Sequence, residues 1–196
     1  MILRGGSPVR KEKAGKTKKR IFRLFLLLLL PLITACSTAP VLTGEHGAAA
    51  RSIPEVPFHP QDDYQCGPSS LAAVLNFHGT DVTPAQIAAA IFSATARGTL
   101  DWDMVFFAES KGFKVRRYAG SEEDVKDNVE KGKPLIALVD HGYWVYEKRH
   151  FLVITGYYRE GFIVNSGNNR QLSMPRDEFL KVWKRAGFLT LLIERP

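Results

Sequence analysis

The stretch LIALVDHGYWVYEKRHFLVITGYYREGFIVN, running from Leu135 to Asn165, decides the fold class. Leu135–Asp140 is a continuous apolar run bounded by Pro134 and a His141-Gly142 turn, the pattern of a buried strand. His150–Tyr158 is rich in β-branched and aromatic residues, Glu160-Gly161 turns the chain, and Phe162–Asn165 returns it. Trp144 and Val145 are candidates for a further strand. Gly167-Asn168-Asn169 is another turn signal, after which Arg170–Ser173 can pair again. Downstream, the sequence predicts a helix over 176–185 and a strand over 188–193.

Upstream of this stretch the apolar period is helical. Leu71, Val74, Leu75 and His78 share one face of a helix that opens at Cys66-Gly67-Pro68, with Gly79 as its stop. Thr83-Pro84-Ala85-Gln86 reads as a capping box with proline at the first helical position, and the helix runs to about Phe92. Asp101 caps a third helix that Gly112 ends. Lys114–Tyr118 is a short strand, and Ser121 caps a fourth helix that stops at Gly132. Helices first and strands later predict an α+β fold, with N-terminal helices packed on a C-terminal antiparallel sheet.

The net charge of +7 on 196 residues suggests a nucleic-acid binder, but its distribution argues otherwise. Residues 1–35 carry nine basic side chains and one acidic, which leaves the rest of the chain at net −1. The body therefore has no electrostatic footprint for DNA or RNA. In the leader, a basic stretch precedes the short apolar run 24–33, and Thr34, Ala35, Cys36 and Ser37 follow. That order describes a secretory signal peptide. The run is short for a transmembrane helix, and Pro31 interrupts it. Residues 36–55, rich in Ala, Pro, Gly, Ser and Thr, read as a tether, and residues 56–196 as one domain.

The chain has two cysteines. Cys66 stands at a predicted helix start, where unsatisfied N–H groups and the helix dipole favour an anion. A thiolate there is a nucleophile, which needs a base, an orienting group and donors for an oxyanion. Five histidines are available. His46 lies in the tether, His59 precedes the cysteine segment, and His78 sits at a helix end. His150, at a strand start, is a candidate base, and His141 competes with it. Asn165 is either an orienting amide beside His150 or a turn former. Gln61 or Gln65 could supply an amide N–H₂ to an oxyanion. Tyr143, Trp144, Tyr146, Tyr157 and Tyr158 read first as sheet packing, with a groove lining as the alternative.

These residues resemble a known family. Gln61-Asp62-Asp63-Tyr64-Gln65-Cys66-Gly67-Pro68-Ser69-Ser70-Leu71-Ala72 is similar to the nucleophile segment of the bacteriocin-processing, double-glycine-leader peptidases, a branch of the papain-like cysteine peptidases. Gly98-Thr99-Leu100 with Ser110–Val115 resembles that family's middle segment, and His150–Tyr157 its histidine strand. The resemblance implies a papain-like fold with Cys66 as nucleophile, His150 as base and acid, Asn165 as orienter and Gln61 as oxyanion donor. It implies no metal or cofactor, and a peptide or protein as substrate.

Ile33-Thr34-Ala35-Cys36 resembles a bacterial lipobox. That likeness implies lipidation of Cys36 and a membrane tether, with Ser37 directing the protein to the periplasmic leaflet of the outer membrane. The alternatives are a non-catalytic peptide-binding lipoprotein on the same fold, and a murein hydrolase or acyltransferase of the same clan.

Overall fold

The computed structural model describes residues 50–61, 64–93, 98–144 and 146–196. In chain order they form β1 (Arg51–Ser52), α1 (Cys66–Phe77), α2 (Pro84–Ile91), α3 (Asp101–Ser110), β2 (Lys114–Ala119), α4 (Glu122–Glu130), β3 (Leu135–Asp140), β4 (Arg149–Tyr158), β5 (Gly161–Ser166), β6 (Asn169–Pro175), α5 (Arg176–Arg185) and β7 (Leu189–Glu194). The expected signal peptide, Cys36 and all but the last few residues of the expected tether lie outside the described residues. No helix among the described residues is long and apolar enough to cross a membrane.

The helices start where the sequence supplies caps. Thr83 accepts from the Gln86 N–H, and the Gln86 side chain accepts in turn from the Thr83 N–H, which completes the predicted capping box. Ser121 caps α4 by accepting from the Asp124 N–H. Asp101 is instead the first residue of α3, after an N-cap at Leu100 that makes no side-chain bond.

All strand pairings are antiparallel, in the order β2-β7-β3-β4-β5-β6, with β1 also paired to β4. The α+β architecture with its antiparallel sheet is thus the one expected. β3 is buried along its whole length, as its unbroken apolar run requires. α1 packs against β4 and β3 as well as α2 and α3, and α5 packs on β3, β5 and β6. Phe162, Phe179 and Trp183, all buried, stack in sequence where α5 meets the sheet.

Two expectations need correction. Arg51 and Ser52, read as tether, pair with Tyr157 and Gly156 of β4, and Ile53 and Val56 are buried in the core. The ordered fold therefore begins before Val56. Trp144 belongs to no strand but to a turn flanked by Tyr143 and Tyr146, which form an isolated bridge; Val145 lies outside the described residues.

Candidate active site

Cys66 is the first residue of α1, and the helix packs its N-terminal end against the start of β4. The backbone N–H groups of Phe151, the residue after His150, and of Gly67 and Cys66 itself lie beside the sulfur and favour its anionic form. The helix start and the histidine strand therefore meet at one point. The thiol is free and partly buried. Burial pushes its pKa up, and the three N–H groups only partly oppose this. The expectation of a thiol lowered by the helix terminus is therefore reversed, because desolvation outweighs the donors.

Gly67 is closely enclosed. A Cβ built on it would lie 2.8 Å from the Thr99 Cβ. The space beside this glycine is thus taken by the Gly98-Thr99-Leu100 segment and is not left open.

His150 lies on β4 opposite Val139 of β3. Its Nε2 is 3.0 Å from Ser166 Oγ at the end of β5. Burial pushes the imidazole down to about 4, and the charges of His141 and Lys148 push the same way. The His141 ring, just beyond the end of β3, lies 6.2 Å from the His150 ring, centroid to centroid. Burial lowers His141 as well. Both candidate histidines therefore sit together, but His150 is the one whose neighbour Phe151 places its N–H beside the Cys66 sulfur.

Asn165 does not contact His150. Its neighbour Ser166 faces the imidazole, so strand alternation turns Asn165 to the other face of the sheet, where it pairs across from Val153. There it is buried at 4% exposure, and its Oδ1 accepts from the Gln171 N–H at 2.9 Å. Gln171 has φ 52 and lies where the β5–β6 register shifts between Val164 and Ser166. Asn165 therefore satisfies the backbone of a β-bulge. The partner of His150 that sequence reasoning missed is Ser166, one residue on.

Gln61 reaches the same region from the other side. Its backbone N–H donates to Asn168 Oδ1 in the turn after Ser166, at 3.2 Å. Its side-chain Oε1 is buried and finds no hydrogen-bond partner among the described residues. Gln65 is the N-cap of α1 and makes no side-chain cap bond.

The other described histidines serve structure. His59 Nε2 bonds Asn76 Oδ1 at 2.8 Å, and His78 Nε2 bonds the Ile193 carbonyl at 2.9 Å. His46 lies outside the described residues. Tyr143, Trp144 and Tyr146 are exposed, Trp144 at 93%, so sheet packing does not explain them. Tyr157 donates to Glu130. An open depression of about 550 Å³, lined in part by Phe92, Phe106 and Phe107, does not have Cys66 on its wall.

A free thiol at a helix start, backed by a strand that delivers an imidazole, matches one family across most of the chain: the family described as Peptidase_C39 like aligns over residues 53–191. The chain belongs to the Peptidase_C39-like family. Solved C39 peptidase structures share its fold. A C39-like peptidase from Bacillus anthracis is 18% identical, with a TM-score of 0.62, over 75% of this chain and 98% of that one. The peptidase domain of Streptococcus ComA, a bifunctional ABC transporter of a quorum-sensing pathway, is 22% identical with a TM-score of 0.61, over 72% and 99%. A double-glycine-motif protease from an AMS/PCAT transporter, solved with its leader peptide, is 21% identical with a TM-score of 0.60, over 74% and 94%. No curated protein matches the chain.

Proposed function

We propose that this C39-like protein is a cysteine peptidase that cleaves a peptide bond with Cys66 as nucleophile and His150 as general base and acid. The observation that supports this reading is the meeting of the α1 start with β4, where the N–H of Phe151, the residue after His150, lies beside the Cys66 sulfur. Nε2 of His150 is engaged by Ser166, which leaves Nδ1 to exchange a proton with the thiol. In the reaction, the Sγ–H proton passes to Nδ1 and the sulfur attacks the scissile carbonyl carbon. The resulting oxyanion accepts from the Cys66 backbone N–H, with the Gln61 amide as a second donor. Collapse expels the amine, which takes the proton from His150. Water, deprotonated by His150, then hydrolyses the thioester and frees the acid.

The substrate is a peptide or protein. The AMS/PCAT relative was solved with a leader peptide, but fold and site do not transfer a substrate. The leader of this chain points to export, with lipidation of Cys36 and attachment on the periplasmic side of the outer membrane. Metabolic labelling with a palmitate analogue tests this: label is expected on the wild type and absent from Cys36→Ser.

The peptidase reading is tested by incubating the protein with a proteome-derived peptide library and identifying new N-termini by mass spectrometry. Cleavages present in the wild type and absent in Cys66→Ala and His150→Ala support it. A library left intact by the wild type, or cut equally by Cys66→Ala, overturns it and leaves a peptide-binding module on the same fold.

A further inference from the structure

We propose that Ser166 is the positioning residue for His150, so that the imidazole is oriented by a neutral hydroxyl and the Cys66–His150 pair rests as thiol and imidazole, not as thiolate and imidazolium. The proposal rests on the Cys66–His150 pairing above and deepens it by naming the resting state of that pair. Three observations carry it. Ser166 Oγ lies 3.0 Å from Nε2. Asn165, the other polar residue at the end of β5, is turned to the opposite face and committed to the Gln171 N–H. Among the described residues, the groups recorded beside His150 include no carboxylate: they are Ser166 from β5, His141 from beyond the end of β3, and Lys148 from the β3–β4 connection. Asp140, at the end of β3, spends its Oδ1 on the N–H groups of Gly142 and Lys148, and Glu147, on the connection, pairs with Arg149.

The chemistry follows from charge. An acidic neighbour stabilises imidazolium by full charge–charge attraction, whereas a hydroxyl offers only a dipole. His141 and Lys148 oppose a positive charge on His150, and burial opposes a negative one on Cys66. In the proposed arrangement Nε2–H donates to Ser166 Oγ, which leaves the Nδ1 lone pair for the thiol proton. Proton transfer from sulfur to Nδ1 then occurs as the substrate is attacked, not before it binds.

The test needs no substrate, so its failure is distinct from failure of the peptidase reading. Iodoacetamide alkylation of Cys66 is followed from pH 5 to 10 in the wild type, Ser166→Ala, Ser166→Asp and Asn165→Ala, and the His150 ring nitrogens are followed by ¹⁵N NMR. The wild type should alkylate along a single alkaline thiol titration, with no fast plateau at pH 5–7. Ser166→Asp should create that plateau and raise the rate at pH 6 about tenfold or more, the size expected from an opposite charge next to the ring. Ser166→Ala should release the tautomer and shift the His150 resonances, and Asn165→Ala should leave them in place. A fast acidic plateau in the wild type overturns the proposal. So does a Ser166→Asp profile identical to the wild type, or an Asn165→Ala spectrum that moves as far as that of Ser166→Ala.

Discussion

A methyl group on Gly67 would lie 2.8 Å from the Thr99 Cβ, a distance that forces one of the two segments to move. Gly67→Ala is therefore expected to lower stability by about 1–3 kcal/mol, and Thr99→Gly in the same chain should recover part of it. Urea denaturation midpoints of the single and double variants check this. Asn165 makes a contrasting case. Removing its Oδ1 leaves the Gln171 N–H without its partner, so Asn165→Ala should cost about 1–2 kcal/mol, read in the same denaturation experiment, without changing how Cys66 alkylates. At this scale the sequence showed which residue types the chemistry needs, and the helix start at Cys66 does meet β4 at Phe151, the residue after His150. It could not distinguish Asn165 from Ser166. Both are polar, they are adjacent, and which one faces His150 depends on the pairing of β5 with β4.

At the scale of elements, local chemistry made most of the fold legible. The Thr83–Gln86 box forms as its spacing requires, and Thr83→Ala should lower stability by about 1 kcal/mol, measured as a shift of the urea midpoint. β3 and α5 run over the residues predicted for them, because an apolar strand closed by a turn and an amphipathic helix closed by glycine both carry their signals internally. β1 carries none. It is two residues long, Arg-Ser, both exposed, and it exists because β4 offers it unpaired backbone groups. The Tyr143–Tyr146 turn was misread for the opposite reason. Its aromatic residues carry strand propensity, but Trp144 sits at φ 56, outside the β region, and the turn is braced by the Tyr146 N–H on the Tyr143 carbonyl.

At the scale of the whole molecule, the buried imidazoles set the response to acid. His150 titrates near 6.5 when unfolded and near 4 when folded. Between those values the unfolded chain binds the extra proton, so stability is full above about pH 6.5 and falls as the pH drops toward 4. Allowing for solvent screening, the loss from His150 is about 2 kcal/mol, and His78 and His141, also lowered, act in the same direction. Urea unfolding at pH 7.5 and 4.5 should show this fall, and His150→Gln should make it smaller.

The entry of the chain into the sheet has a mechanical consequence. Arg51 and Ser52 are stitched to Tyr157 and Gly156, the Ile53 N–H donates to the Thr155 carbonyl, and Arg51 pairs with Glu130 at 3.5 Å. Tension applied through the preceding residues is therefore borne first by β4, the strand that carries His150 near its other end. Those few bonds are expected to act as a strain relief, giving way before the load reaches the His150 end of the strand.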